Sequence, residues 1–177
     1  MSDAAEILLD EGAIRRAVSR IAHEIAERNP DLESYVIVGL RSRGIQLAHR
    51  IAARLKELIG KDVPVGSIDI SPYRDDVDSP SERIEATSAD VPIPIDQRVV
   101  GLVDDVLATG RTIRVALDVL SSLGRPLAVQ VAVLVDRGDR EVPIRADYVG
   151  YNVKAGERRR VNVRVRELDG ADEVTLQ

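Results

Sequence analysis

Apolar residues recur along this chain at two spacings, and the two spacings take turns. Ile14, Ala17, Val18, Ile21, Ala22 and Ile25 place one apolar face on a helix that Asp10 can cap and Asn29-Pro30 can stop. Leu47, Ala48, Ile51, Ala52, Leu55 and Ile59 predict a second helix ending at Gly60. Ile113, Ala116, Leu117, Leu120 and Leu123 predict a third, closed by Gly124 and Pro126. Between them lie short β-branched runs, YVIVGL (35–40), VPVGSIDI (63–70), VVGLV (99–103) and LAVQVAVLVD (127–136), which read as buried strands. A further strand is expected just before Val149-Gly150, and the alternating VNVRV (161–165) reads as an edge strand. Alternation of strand and helix predicts an α/β fold, a mainly parallel sheet flanked by helices.

Two polar stretches interrupt the pattern. Residues 71–96 hold four of the eight prolines (Pro72, Pro80, Pro92, Pro94) and read as a long loop or lid. Residues 151–160 precede the last predicted strand, so 151–177 forms a C-terminal strand region. A length of 177 residues suits one domain, 1–177, with a substantial core.

Composition narrows the picture. No apolar run approaches the roughly 18 residues of a membrane span, and the acidic start MSDAAEILLDEG lacks the basic, apolar form of a secretory signal. With no cysteine there is neither disulfide nor thiolate metal site, and a cytoplasmic protein is expected. A net charge of -5 argues against nucleic-acid binding through bulk charge while leaving room for a local basic patch.

The run VVGLVDDVLATGRT carries the chemistry. Adjacent carboxylates repel and are costly to bury, so Asp104 and Asp105 at a strand end call for a cationic or hydroxyl-rich partner. In open parallel sheets that end is where ligands bind. Behind them Thr109, Gly110, Arg111 and Thr112 open the third helix, whose amides and threonine hydroxyls suit a phosphate. A ribose 5-phosphate meets both demands, whereas the plain alternative is a capped helix after solvated aspartates.

This run resembles the phosphoribosyl-pyrophosphate (PRPP) motif of type I phosphoribosyltransferases. The segments AIRRAVSRIAHEI, VGLRSRGIQLA, VGSIDISPYRDD, LVDDVLATGRT and LVDRGDREVPIRADYVG follow one another as in the bifunctional pyrimidine-operon attenuator and uracil phosphoribosyltransferase family, a likeness over roughly residues 7–170. The resemblance implies the type I fold with a flexible lid loop and a small C-terminal hood. It also implies PRPP, uracil and UMP as ligands, and Mg²⁺ brought with PRPP near Asp104 and Asp105. Ribose and 5-phosphate would meet Asp104, Asp105, Val106, Leu107, Ala108, Thr109, Gly110, Arg111 and Thr112. Pyrophosphate would meet Arg41, Ser42, Arg43 and Gly44, with Tyr73, Arg74, Asp75 and Asp76 in the lid. Asp136, Arg137, Val149, Gly150 and Val161 would surround the base.

The resemblance further implies binding to pyrimidine-operon leader mRNA through Arg16, Ser19, His23, Arg28, Arg140 and Arg145, beside Arg20, and a homodimer or larger homo-oligomer. Five positions depart from the family pattern: Ser71 and Pro72 where it has Thr and Leu, Ala108 where it has Tyr, Asp139 where it has His, and Tyr151 where it has Lys. Tyr151 adjoins the expected base site and bears on base choice, and Asp139 adds negative charge beside Arg140. A purine phosphoribosyltransferase, or an RNA-binding regulator with little catalysis, are the alternative readings.

Overall fold

The computed structural model describes residues 5–70, 88–154, 156 and 159–177. The expected lid residues Tyr73, Arg74, Asp75 and Asp76 lie outside the described residues.

Each predicted helix forms on its apolar face. Helix α1 (Glu11–Arg28) starts at Asp10, whose side chain accepts from the Ala13 amide at 2.7 Å, and stops at Asn29. Helix α2 (Arg43–Ile59) ends at Gly60 in the left-handed conformation, φ 71°, a geometry that favours glycine. Helix α3 (Arg111–Leu123) starts at Gly110, φ 88°.

Among the described residues nine strands accompany them: β1 (Glu6–Leu9), β2 (Tyr35–Leu40), β3 (Val65–Asp69), β4 (Ser88–Asp90), β5 (Val99–Leu107), β6 (Ala128–Asp136), β7 (Tyr148–Asn152), β8 (Val161–Arg164) and β9 (Glu173–Leu176). The main sheet runs β4-β3-β2-β5-β6-β7 and is parallel except for β4, which lies antiparallel on β3. Side chains alternate across it as the pleat requires. Tyr35 and Ile37 pack toward α1 and α2, while Val36, Val38 and Leu40 pack with Ile113, Ala116 and Leu120 of α3. Fully burying each such aliphatic side chain contributes about 1.5–3 kcal/mol, so the two layers dominate the fold's stability. Gly101 lies under the Tyr35 ring: a Cβ there would come within 2.5 Å of the Tyr35 hydroxyl.

The structure corrects several expectations. Strand β5 does not stop at Val103 but continues through both aspartates to Leu107, because β6 pairs with it as far as Leu107↔Asp136. Val149 and Gly150 lie within β7 rather than after it. Residues 88–90, within the expected loop, form β4. The expected edge strand 161–165 is β8, and it belongs to a second, antiparallel sheet β1-β9-β8 that joins the two chain ends. This sheet is the expected C-terminal hood, and its Leu9, Val163 and Val174 share the core beneath α1 and α2.

Candidate functional site

Chain order reverses at β2. From there the chain moves outward to β3, then returns to lay β5 on the other side of β2 and continues to β6 and β7. A crevice opens at such a switch point, outside the carboxyl ends of the two diverging strands. The turn Arg41–Gly44 follows β2 and the segment Asp104–Thr112 ends β5, so topology brings together two motifs about sixty residues apart.

The contact is close. Gly44, in the first turn of α2, packs on β5: a Cβ there would lie 2.6 Å from the Val103 carbonyl oxygen and 3.3 Å from the Asp104 Cα. Only hydrogen fits between α2 and the acidic pair. Asp104 is buried, and its Oδ1 accepts from the Asp105 amide at 2.9 Å. Asp105 is half-buried, and its Oδ1 accepts from the Val106 amide at 2.9 Å.

Past Leu107 the chain turns through Ala108–Gly110 into α3. Thr109 braces this turn: its Oγ1 accepts from the Arg111 amide at 3.2 Å, and its carbonyl accepts from the amides of Glu141 and Val142. Gly110 holds a positive φ with Val142 packed against it, 2.7 Å from where a Cβ would sit. Gly110, at the cap of α3, has no side chain to cap it, so apart from the Arg111 amide held by Thr109 the N-terminal end of α3 is suited to an anion. Arg111 lies at the exposed rim, paired with Glu141, and Thr112 lies in the first turn of α3.

On the β2 side the Arg41–Ser42 peptide is cis, and Arg41 pairs with Asp69 at the end of β3, 3.0 Å away. Arg43 reaches away from β3. Its guanidinium makes a two-pronged pair with Asp169 of the C-terminal turn Arg166–Asp169, at 3.2 and 2.8 Å. The Arg43 contact holds Asp169 below the usual carboxylate range, helped by the Val165 amide.

The expected base side is divided. Asp136 and Arg137 do lie at the end of β6. Asp136 accepts from the Gly138 amide at 2.8 Å and pairs with Arg140 at 2.6 Å. Arg137 donates to the Gly156 carbonyl at 3.1 Å and pairs with Asp139 at 2.9 Å; among the described residues its buried Nε has no acceptor. Asp139 thus offsets Arg137 rather than Arg140. Val149 and Gly150 face elsewhere: both carbonyls accept from Arg20 of α1, and Gly150 packs on Ala17. Half-buried Val161 starts β8 and packs against the core under α1. Tyr151 stands half-exposed on β7, opposite Val135.

The six residues expected to meet RNA separate into two groups. Arg16, His23, Arg28 and Arg145 are exposed. Arg28 pairs with Asp147 at 2.7 Å and lies over the Tyr148 ring, 5.8 Å from its centroid, and the carboxylate holds its pKa raised. Ser19 is half-buried and accepts from Arg54 Nε at 3.0 Å. Arg140 is not a surface cation, because its guanidinium donates inward to the carbonyls of Ala108 and Ile144 as well as to Asp136. Arg50, Glu167, Asp169 and Asp172 also join the C-terminal turn to α2, and no motif in the sequence marks them. The acidic RELDGAD segment beside a glycine stop was the one local hint.

A family model described as phosphoribosyl transferase domain matches residues 4–163. A relative from Chloroflexus aurantiacus, named bifunctional protein PyrR, is 54% identical over 171 residues, covering 96% of this chain and 93% of the relative. One of the same name from Pelotomaculum thermopropionicum is 50% identical over 169 residues, covering 96% of this chain and 93% of its own. Among solved structures, the hypoxanthine phosphoribosyltransferase of Trypanosoma cruzi superposes with a TM-score of 0.75 at 20% identity, over 97% of this chain and 95% of that one. At that identity the likeness is one of fold.

Proposed function

This chain belongs to the phosphoribosyl transferase domain family, and on that premise we propose that it transfers the phosphoribosyl group of PRPP to N1 of uracil, yielding UMP and pyrophosphate. The observation that carries this reading is the meeting of the Arg41–Gly44 turn with the Asp104–Asp105 pair and the Thr109–Thr112 turn at one switch-point crevice.

Each part answers a portion of PRPP. Asp104 and Asp105 accept from the ribose hydroxyls. The amides and hydroxyls of Thr109–Thr112 hold the 5-phosphate. The turn Arg41–Gly44 meets the pyrophosphate, with Arg41 and backbone amides as donors. As the bond from the anomeric carbon to pyrophosphate breaks, positive charge grows on the ring, and the carboxylate pair lies where it offsets that charge. Uracil N1 forms the new bond to that carbon as the bond to pyrophosphate breaks, and its proton passes to the departing pyrophosphate or to solvent, while alignment of base and sugar lowers the barrier by holding the reactants together.

Mg²⁺ suits this donor set. Two adjacent carboxylates, with no cluster of three or more metal-ligating side chains among the described residues, fit an ion that brings most of its ligands from a substrate's phosphates. When bound with PRPP it neutralises the leaving pyrophosphate. The buried Nε of Arg137 at the end of β6, without an acceptor among the described residues, fits an acceptor on the incoming base or its phosphoribosyl partner.

The relatives' printed name, bifunctional, supports a second activity, and exposed Arg16, His23, Arg28 and Arg145 supply the chemistry for one. We assign them to leader mRNA of pyrimidine genes, regulated by uridine nucleotide. Exposed Ile7, Leu123 and Leu127 suit burial in a homodimer or larger homo-oligomer. No helix among the described residues is long and apolar enough to cross a membrane, and we place the protein in the cytoplasm.

A base panel tests the enzyme reading. With PRPP and Mg²⁺, pyrophosphate release is expected with uracil and not with adenine, guanine, hypoxanthine or orotate. Release with a purine instead would overturn the assignment.

A further inference from the structure

We propose that Asp169 is a positioning residue for the pyrophosphate turn, acting through Arg43; the role rests on the PRPP reading of the crevice. Arg43 is the first residue of α2, and both oxygens of Asp169 accept from its guanidinium, at 3.2 and 2.8 Å. The same carboxylate accepts the Val165 amide at 2.8 Å, so the backbone leaving β8 fixes it in place. With side chains 33% and 18% exposed, the pair is set apart from an ordinary surface ion pair by its two-pronged geometry and the Val165 amide rather than by burial.

Fastening the C-terminal turn to α2 does not need this contact. Two helical turns further on, Arg50 already does so, donating to both oxygens of Glu167 and both oxygens of Asp172 at 2.6–3.1 Å. What distinguishes Arg43 is its place. Its neighbour Gly44 lies against the backbone of Val103 and Asp104, and the turn Arg41–Ser42 precedes it directly. A shift of the Arg43 guanidinium therefore moves the turn that meets pyrophosphate and presses on the strand that carries the acidic pair. Because Asp169 also holds the end of β8, it links the hood to the leaving-group side of the crevice. Without the carboxylate, PRPP must order the turn as it binds, and affinity falls by that cost.

The experiment measures PRPP binding with Mg²⁺ by calorimetry on the full chain, for wild type, Asp169→Asn, Asp172→Asn, Arg43→Ala and the Arg43→Ala/Asp169→Asn double variant. Asp169→Asn is expected to weaken PRPP by about tenfold, on the order of one charge-assisted hydrogen bond, and to raise the KM for PRPP without raising that for uracil. Asp172→Asn, which disturbs Arg50 in the same segment, is expected to lower Tm and leave PRPP affinity unchanged. In the Arg43→Ala background, Asp169→Asn is expected to add nothing, since the two residues act as one unit. The role is overturned if Asp169→Asn binds PRPP as wild type does, if Asp172→Asn weakens it equally, or if the loss persists without Arg43. A wild type that does not bind PRPP would overturn the assignment of the crevice itself, and the role with it.

Discussion

Arg140 donates to the carbonyl oxygen of Ala108 at 2.8 Å, so the turn assigned to the 5-phosphate is held by a side chain from the loop after the neighbouring strand. The same guanidinium reaches Asp136 at 2.6 Å and the Ile144 carbonyl at 2.6 Å. Three segments converge on one cation that is only 22% exposed.

Removing that cation leaves the largely buried Asp136 carboxylate without its partner and two carbonyls without a donor. Arg140→Ala is expected to destabilise the chain by about 2–4 kcal/mol. Urea denaturation followed by circular dichroism measures it; a change under half a kilocalorie would mean the clamp contributes nothing.

For RNA the same geometry separates two arginines. Arg145 is exposed and has a guanidinium to offer a phosphate, whereas Arg140 has spent its donors inside. Arg145→Ala should flatten the log–log salt dependence of leader-RNA binding by roughly 0.7–0.9. Arg140→Ala should leave that slope nearly unchanged. Filter binding at several salt concentrations distinguishes them, and equal slopes for wild type and Arg145→Ala would remove Arg145 from the interface.

The acidic pair should matter to ligand rather than fold. Asp104→Asn with Asp105→Asn keeps side-chain oxygens able to accept the Asp105 and Val106 amides, yet removes the charge offered to sugar and Mg²⁺. PRPP affinity is expected to fall by at least roughly tenfold with little change in Tm. Undiminished binding in a titration with Mg²⁺ present would refute the ribose role.

Gly44 and Gly138 make a controlled comparison. A Cβ on Gly44 would meet the Val103 carbonyl oxygen at 2.6 Å, so Gly44→Ala must push α2 off β5. We expect a loss of about 1–3 kcal/mol together with failure to bind PRPP. Gly138 has φ 75° and nothing within 4 Å among the described residues, so Gly138→Ala bears backbone strain, about 1 kcal/mol. Melting curves of both, beside a PRPP titration, check the contrast.

Acid should loosen the C-terminal clamp. The Arg50 contact holds Glu167 below its ordinary 4.5, and burial of Asp172 is outweighed by hydrogen bonds from Arg50 and the Arg166 amide, which hold it below 3.8. A carboxylate depressed in the folded state stabilises the fold above its unfolded pKa, and that contribution is lost as pH falls through the folded value. Stability should therefore decline as pH drops below about 4.5. Denaturation midpoints at several pH values should show a shallower decline for Glu167→Gln/Asp172→Asn than for wild type.

The helices and central strands were legible because each is written in contiguous residues. The apolar face of Ile14–Ile25, the cap at Asp10 and the stops at Asn29 and Gly60 are local properties, and the structure reproduces them. The crevice motif was legible for the same reason, since strand, carboxylates and glycine turn follow one another within VVGLVDDVLATGRT. Strands β1, β4 and β9 were not legible. Each is a strand only because a partner outside its own segment supplies its hydrogen bonds, which no local pattern announces. Charged side chains were hardest to place from sequence. An arginine is equally soluble facing water or facing a carboxylate, so nothing near Arg43 in the chain points to Asp169, 126 residues away, and nothing near Arg140 announces the Ala108 carbonyl. Local periodicity determined which faces are buried; the crossing of the chain at β2 and β5 decided which charges meet.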